Sequence, residues 1–93
     1  MEGKKVGFKA EEVGEIFKRF MCLIVDDSEN VMVDIHESEN SIIFELAVPG
    51  DEYGKAIGKN GKLANALRTM IRAVAGSFDK RLVLEFSARK TKN

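Results

Sequence analysis

A chain of 93 residues, 44% of them hydrophobic, is long enough to bury one apolar core and too short for a second domain. Its single cysteine, Cys22, and single histidine, His36, exclude an internal disulfide and a Cys/His metal site, and no apolar run approaches the length of a membrane span, so a cytoplasmic protein without cofactor or metal is expected. The 15 basic and 15 acidic residues cancel in total but not locally: residues 1–54 hold 13 acidic against 5 basic residues, and residues 55–93 hold 2 against 10.

Residues 1–9 read as a flexible N-terminal tail. From Ala10 the apolar residues Val13, Ile16, Phe17, Phe20 and Ile24 recur at steps of three and four, which predicts one buried stripe on a helix whose positive N-terminal end attracts Glu11, Glu12 and Glu15. Gly14 weakens that helix slightly, and Asp26, Asp27 and Ser28 end its pattern in a loop. Val31, Val33 and Ile35 then alternate with Met32, Asp34 and His36, the period of a half-exposed strand that leaves His36 at the solvent face or sheet rim. A polar turn at 38–41 leads into a second strand, S-I-I-F-E-L-A-V, stopped by Pro49 and Gly50; the two strands are spaced as a hairpin. Asp51 is placed to cap a short helix from Tyr53 to Ile57, which ends at Gly58. Beyond Gly61 a longer helix carries Leu63, Leu67, Met70, Ile71 and Val74 on one face, with Gly76 where a left-handed C-terminal cap belongs. Residues 81–86 supply the last strand, and 88–93 a basic C-terminal tail. The fold class is therefore α+β, in the order α-β-β-α-α-β. Strands with one apolar face and helices with one apolar stripe predict a three-stranded sheet with three helices on one face, as a single domain over residues 10–87.

The joint between the two later helices, G-K-A-I-G-K-N-G-K-L at 54–63, sets glycines three residues apart at a helix start, where glycine is otherwise a poor choice. Such a corner leaves the first amides of the second helix outward, with the positive end of the dipole behind them, and lets a sugar-phosphate backbone approach without meeting a Cβ. Lys55, Lys59 and Lys62 surround it, and no acidic residue lies between Lys55 and Arg72. Segregated charge of this kind offers a polyanion a positive patch despite zero net charge. The plainer readings are a corner that needs glycine only for its backbone angles, and two halves that neutralise each other across the fold. The placement of the turn, after Ile57, among lysines and between two helices, favours a phosphate site.

With its neighbours, A-I-G-K-N-G-K-L-A-N-A-L-R resembles the I-G-x-x-G core of the KH domain, an RNA-binding fold whose G-x-x-G loop clamps the backbone of about four nucleotides. A helix and two strands before the loop and one strand after it match the prokaryotic, type II arrangement. The pattern D-x-x-G-K-x-I-G-K-x-G-K-x-A-x-A-L-R over 51–68 is similar to the small bacterial RNA-binding proteins of the KhpA (YlqC-like) family, and the likeness spans residues 11–86. The resemblance implies a non-catalytic binder of single-stranded RNA, an RNA chaperone or post-transcriptional regulator, whose protein partner is a second copy or a larger KH protein of the Jag type. It implies a backbone clamp at Gly58, Lys59, Asn60 and Gly61, with Ile57 and Leu63 beside it near a groove for bases between the helices and a strand, and Lys55, Lys62 and Arg68 as phosphate neighbours. Ala56, smaller than the valine or leucine frequent before the Ile-Gly pair, is expected to make the apolar wall of that groove shallower. The acidic half is expected to confine the footprint to the loop face.

The alternative is a protein-interaction module with a vestigial loop, for which Phe8, Phe17, Phe20, Met21 and Met70 would furnish an apolar patch. An enzyme is disfavoured. Cys22 sits in F-M-C-L-I-V, where a packed thiol is the expectation, Asp26 and Asp27 read as loop residues, and Glu45 and Glu85 as strand-surface charges. The glycine-lysine pairs do not complete G-x-x-x-x-G-K-[ST], since Leu63 follows Lys62.

Overall fold

The computed structural model of the protein describes residues 9–90. Helix α1 (Ala10–Ile24) is followed by strands β1 (Met32–Glu37) and β2 (Ser41–Pro49), helices α2 (Tyr53–Ile57) and α3 (Lys62–Val74), and strand β3 (Arg81–Arg89). This is the α-β-β-α-α-β order read from the sequence. β1 and β2 form an antiparallel hairpin, β2 and β3 pair in parallel, and β2 lies between the other two.

The central strand accounts for the core. Ile42, Phe44, Leu46 and Val48 alternate along β2 and are all buried, joined by Leu82 and Leu84 of β3 and by Val33 and Ile35 of β1 at the margin. Their shared face carries all three helices: α1 lies over β1 and β2, α3 over β3, and α2 over β2 and β3. From the helices, Val13, Phe17, Met21, Ala56, Leu67 and Ile71 complete the packing. The opposite sheet face carries polar residues, including a cross-strand row in which Asp34 pairs with Glu45 and Glu45 with Glu85. His36 is on this face, its Nε2 3.5 Å from Glu45 Oε1.

Five local expectations need correction. On α1, Val13 and Phe17 are buried and Phe20 and Ile24 pack partly buried against the core as expected, but Gly14 and Met21 join the buried face and Ile16 is 63% exposed. Gly14 explains the rotation: a Cβ there would stand 3.2 Å from Ile35 Cδ1, so the missing side chain is what lets the helix lie close to β1. On α3, Leu67 and Ile71 are buried but Met70 is 54% exposed, because the groove beside it is left open. Asp51 does not cap α2; residues 50–52 form a 3-10 turn, and Glu52 occupies the N-cap position. The left-handed residue after α3 is Asp79, with φ 58°, rather than Gly76, because the chain first makes a 3-10 turn through Ala75–Ser77. Strand β3 continues through Arg89, held by its pairing with β2 up to Pro49, so Ala88 and Arg89 belong to the sheet and not to a tail. Residues 1–8, including Phe8, and 91–93 lie outside the described residues. Among the described residues, no helix is long and apolar enough to cross a membrane and no His/Cys/Asp/Glu group could hold a metal ion. The Cys22 thiol is partly buried and donates to the Ser28 carbonyl at 3.7 Å.

Candidate nucleic-acid interface

Helix α2 ends where Gly58 takes φ 86° and ψ 161°, a region essentially confined to glycine. A Cβ at Gly58 would lie 2.8 Å from both the backbone nitrogen and the Cβ of Leu63. Two left-handed residues follow, Asn60 at φ 57° and Gly61 at φ 73°, and together they reverse the chain into α3. Asparagine accepts this conformation better than most residues, and glycine without strain.

The hydrogen bonds of the turn narrow the expectation of free helix-start amides. Gly58 N–H donates to Gly54 O and Gly61 N–H to Gly58 O, each at 2.9 Å, and Lys62 N–H is closed on Lys59 O. Lys59 and Asn60 lie between these closed pairs, at the tip of the turn. The Gly61 and Lys62 amides, at the helix start, are thus already engaged inside the turn. Lys59, Asn60 and Lys62 are exposed there, and no carboxylate among the described residues pairs with either lysine.

Lys55 is differently placed. Its Nζ stands 3.4 Å from Asp26 Oδ2 and 3.4 Å from Glu52 Oε1. Desolvation pulls its pKa down, but the Asp26 and Glu52 carboxylates outweigh it and hold the ammonium above its ordinary value. The Glu52 carboxylate in turn accepts the Asp26 and Asp27 amides at 2.7 and 2.9 Å, and those two bonds, the Asp26 one foremost, hold it below the usual carboxylate value.

Ile57 and Leu63 flank the turn half-buried, Leu63 against the core. Ala56 is fully buried, so its small side chain serves packing beneath α2 and does not form a groove wall. Arg68 lies six residues along α3 from Lys62, about 9 Å by helix rise. Its Nε donates to Leu84 O at 3.2 Å and its guanidinium lies 5.4 Å from the centre of the Phe86 ring, which fixes the side chain between α3 and β3. Arg72 and Arg81 line the same open cleft, of about 220 Å³, with Ile71 and Leu82–Leu84 as its apolar floor. These two arginines escaped the sequence reading. The signal for Arg72 was its four-residue spacing from Arg68, which puts both on one helix face; Arg81 joins them only through the parallel crossover that makes β3 an edge strand.

Turn and cleft thus share α3, with exposed cations at both and the outer strand β3, whose Leu84 carbonyl accepts from Arg68, along the second. Residues 15–86 match the family profile described as KhpA/KhpB, KH domain. The chain is 38% identical over 73 residues to the RNA-binding protein KhpA of Caldanaerobacter subterraneus subsp. tengcongensis, an alignment covering 78% of this chain and 97% of that one. It is 44% identical over 62 residues to RNA-binding protein KhpA of Aquifex aeolicus (67% of this chain, 78% of that one). With the protein of the same name from Clostridium acetobutylicum it is 45% identical over 62 residues (67% and 83%).

Proposed function

The chain belongs to the KhpA/KhpB KH-domain family, and from that premise we propose that it binds single-stranded RNA, without catalysis, at the Gly58–Lys59–Asn60–Gly61 turn. The observation that carries this reading is the turn itself: two left-handed residues and a Cβ-free approach at Gly58 set Lys59 and Asn60 at an exposed tip, where no carboxylate among the described residues pairs with Lys59 or Lys62. Lys59 and Lys62 neutralise a phosphate, Ile57 and Leu63 supply the apolar shoulder, and bases lie toward the cleft beside Arg68. So few phosphate contacts give weak binding and modest sequence preference, suited to an RNA chaperone or post-transcriptional regulator acting in the cytoplasm. Anisotropy of a labelled single-stranded RNA pool at two salt concentrations tests it. The double variant Lys59→Asp, Asn60→Asp, folded by circular dichroism, is expected to bind at least about tenfold more weakly, since it puts carboxylates where phosphate would sit. Equal binding by a folded variant would sink the assignment.

A second activity is favoured by one observation. Between α1 and α3 an apolar groove of about 290 Å³ is lined by Val13, Ile16, Phe17, Met70, Val74 and Phe78, with Ile16 and Met70 projecting from its walls. Phe17 and Met21, expected in an apolar patch, are core residues, but Met70 is available for contact. This face suits association with a second copy or with a larger KH protein of the Jag type, which would raise RNA affinity by bivalency.

A further inference from the structure

Helix α2 has five residues, too few to persist in water on its own hydrogen bonds. Its direction decides where Gly58 begins the turn, so whatever holds α2 also aims the lysines beyond it. Ala56 anchors its inner face in the core. The outer anchor is Glu52, which sits before Tyr53 and caps no backbone amide of its own helix. Both carboxylate oxygens instead accept consecutive amides of the segment that leaves α1, Asp26 N–H at 2.7 Å and Asp27 N–H at 2.9 Å. Lys55, one helical turn on, spans Glu52 and Asp26. The side chains differ in exposure in the way a tie requires: Glu52 is 12% exposed at its centre, Lys55 48%, and Asp26, on the outside, 92%.

We propose that Glu52 and Lys55 are positioning residues that fasten the start of α2 to the end of α1 and so set the orientation of the Gly58–Gly61 turn, the Lys55 ammonium being committed to this tie and not to an RNA phosphate. This rests on the RNA-binding reading above and revises the role that family resemblance implies for Lys55. A phosphate that captured Lys55 would leave a largely covered carboxylate with only its two amides, whereas Lys59 and Lys62 have no carboxylate partner among the described residues.

The slope of log affinity against log salt for a labelled single-stranded RNA pool separates the two roles, because each phosphate contact on a single strand contributes about 0.7 to it. Lys62→Met is expected to lower the slope by about 0.7, while Lys55→Met leaves it unchanged and weakens binding about two- to fivefold at every salt concentration. Lys55→Arg restores affinity. Glu52→Gln, which replaces one acceptor by a donor, behaves as Lys55→Met with a larger loss, and adding Lys55→Met to it costs little more because both cut the same tie. Amide exchange on the free protein reads the tie independently of RNA. Glu52→Gln should speed exchange at Asp26 and Asp27 and at the Gly58 and Gly61 amides, with Phe44 in the central strand unaffected. If the wild type binds no RNA while these amides respond, the tie stands and the functional reading fails. A slope loss in Lys55→Met equal to that in Lys62→Met, unchanged affinity in both tie variants, or unchanged exchange at Gly58 and Gly61 in Glu52→Gln would each overturn the proposal.

Discussion

Gly58 and Gly61 bracket the turn for different reasons, and substitution separates them. At Gly58 the backbone conformation and the 2.8 Å approach to Leu63 both forbid a side chain, and the obstacle is backbone that cannot swing aside. Gly58→Ala should therefore cost roughly 3 kcal/mol of stability in urea unfolding. At Gly61 the nearest atom to a Cβ is Asn65 Nδ2 at 3.8 Å, so only the left-handed φ opposes substitution. Gly61→Ala is expected to cost about 1–2 kcal/mol and Gly61→Asn less. Glu52 adds a pH dependence. Its folded-state pKa lies below the ordinary 4.5, through the Asp26 and then the Asp27 amide, so its stabilisation is complete above 4.5 and is lost as pH falls through the lowered value. Glu52→Gln should flatten that acid limb of the stability curve and leave its shape near neutrality intact; an unaltered limb would mean the carboxylate is not held as described.

At the scale of elements, β2 was legible because burial on one face leaves a strict alternation, and α3 because its turn and its Leu67/Ile71 face share one helix. The edge of the α1 face was not, although Val13, Phe17, Phe20 and Ile24 pack as their spacing predicts. Ile16 and Leu23 are as apolar as the residues that pack, yet they are 63% and 81% exposed, and local spacing does not say which side a sheet will take. Gly14 held the answer in a form that propensity misreads, as a weak point in a helix where it is a point of close approach to Ile35. Similarly, Glu52 and Asp26 stand 26 positions apart, beyond any motif spacing, so Lys55 reads in sequence as one more cation beside a phosphate loop. The sheet register exposes a feature equally hidden in the sequence, three carboxylates abreast at Asp34, Glu45 and Glu85. Like charges directly opposite oppose pairing, and Glu45 stands between the other two. Glu45→Lys converts both contacts to attractions and is expected to raise stability by about 0.5 kcal/mol, less in high salt, as measured by urea midpoint.

Across the whole molecule, the charge boundary near residue 55 becomes a spatial one, because α1, β1 and β2 precede it while α3 packs on β3 at the other edge of the sheet. Neutralisation across the boundary is local: Lys55 meets Asp26 and Glu52, and Lys80 meets Glu37 at 2.7 Å. No carboxylate among the described residues pairs with Lys59, Lys62, Arg68, Arg72 or Arg81, which run from the turn along α3 to the edge strand. On the proposed reading, a strand of RNA that followed these cations would leave the glycine turn and enter the α3–β3 cleft, away from the carboxylate row on the far sheet face. Arg72 and Arg81 would then engage nucleotides beyond those at Lys59 and Lys62. Titration with oligonucleotides of increasing length should show affinity rising to about four nucleotides and levelling beyond. The combined variant Arg72→Gln, Arg81→Gln should lower affinity for a four-nucleotide strand while leaving a dinucleotide at the turn unaffected. Equal losses for both lengths would place the arginines in general attraction, and no loss for either would confine the footprint to the turn.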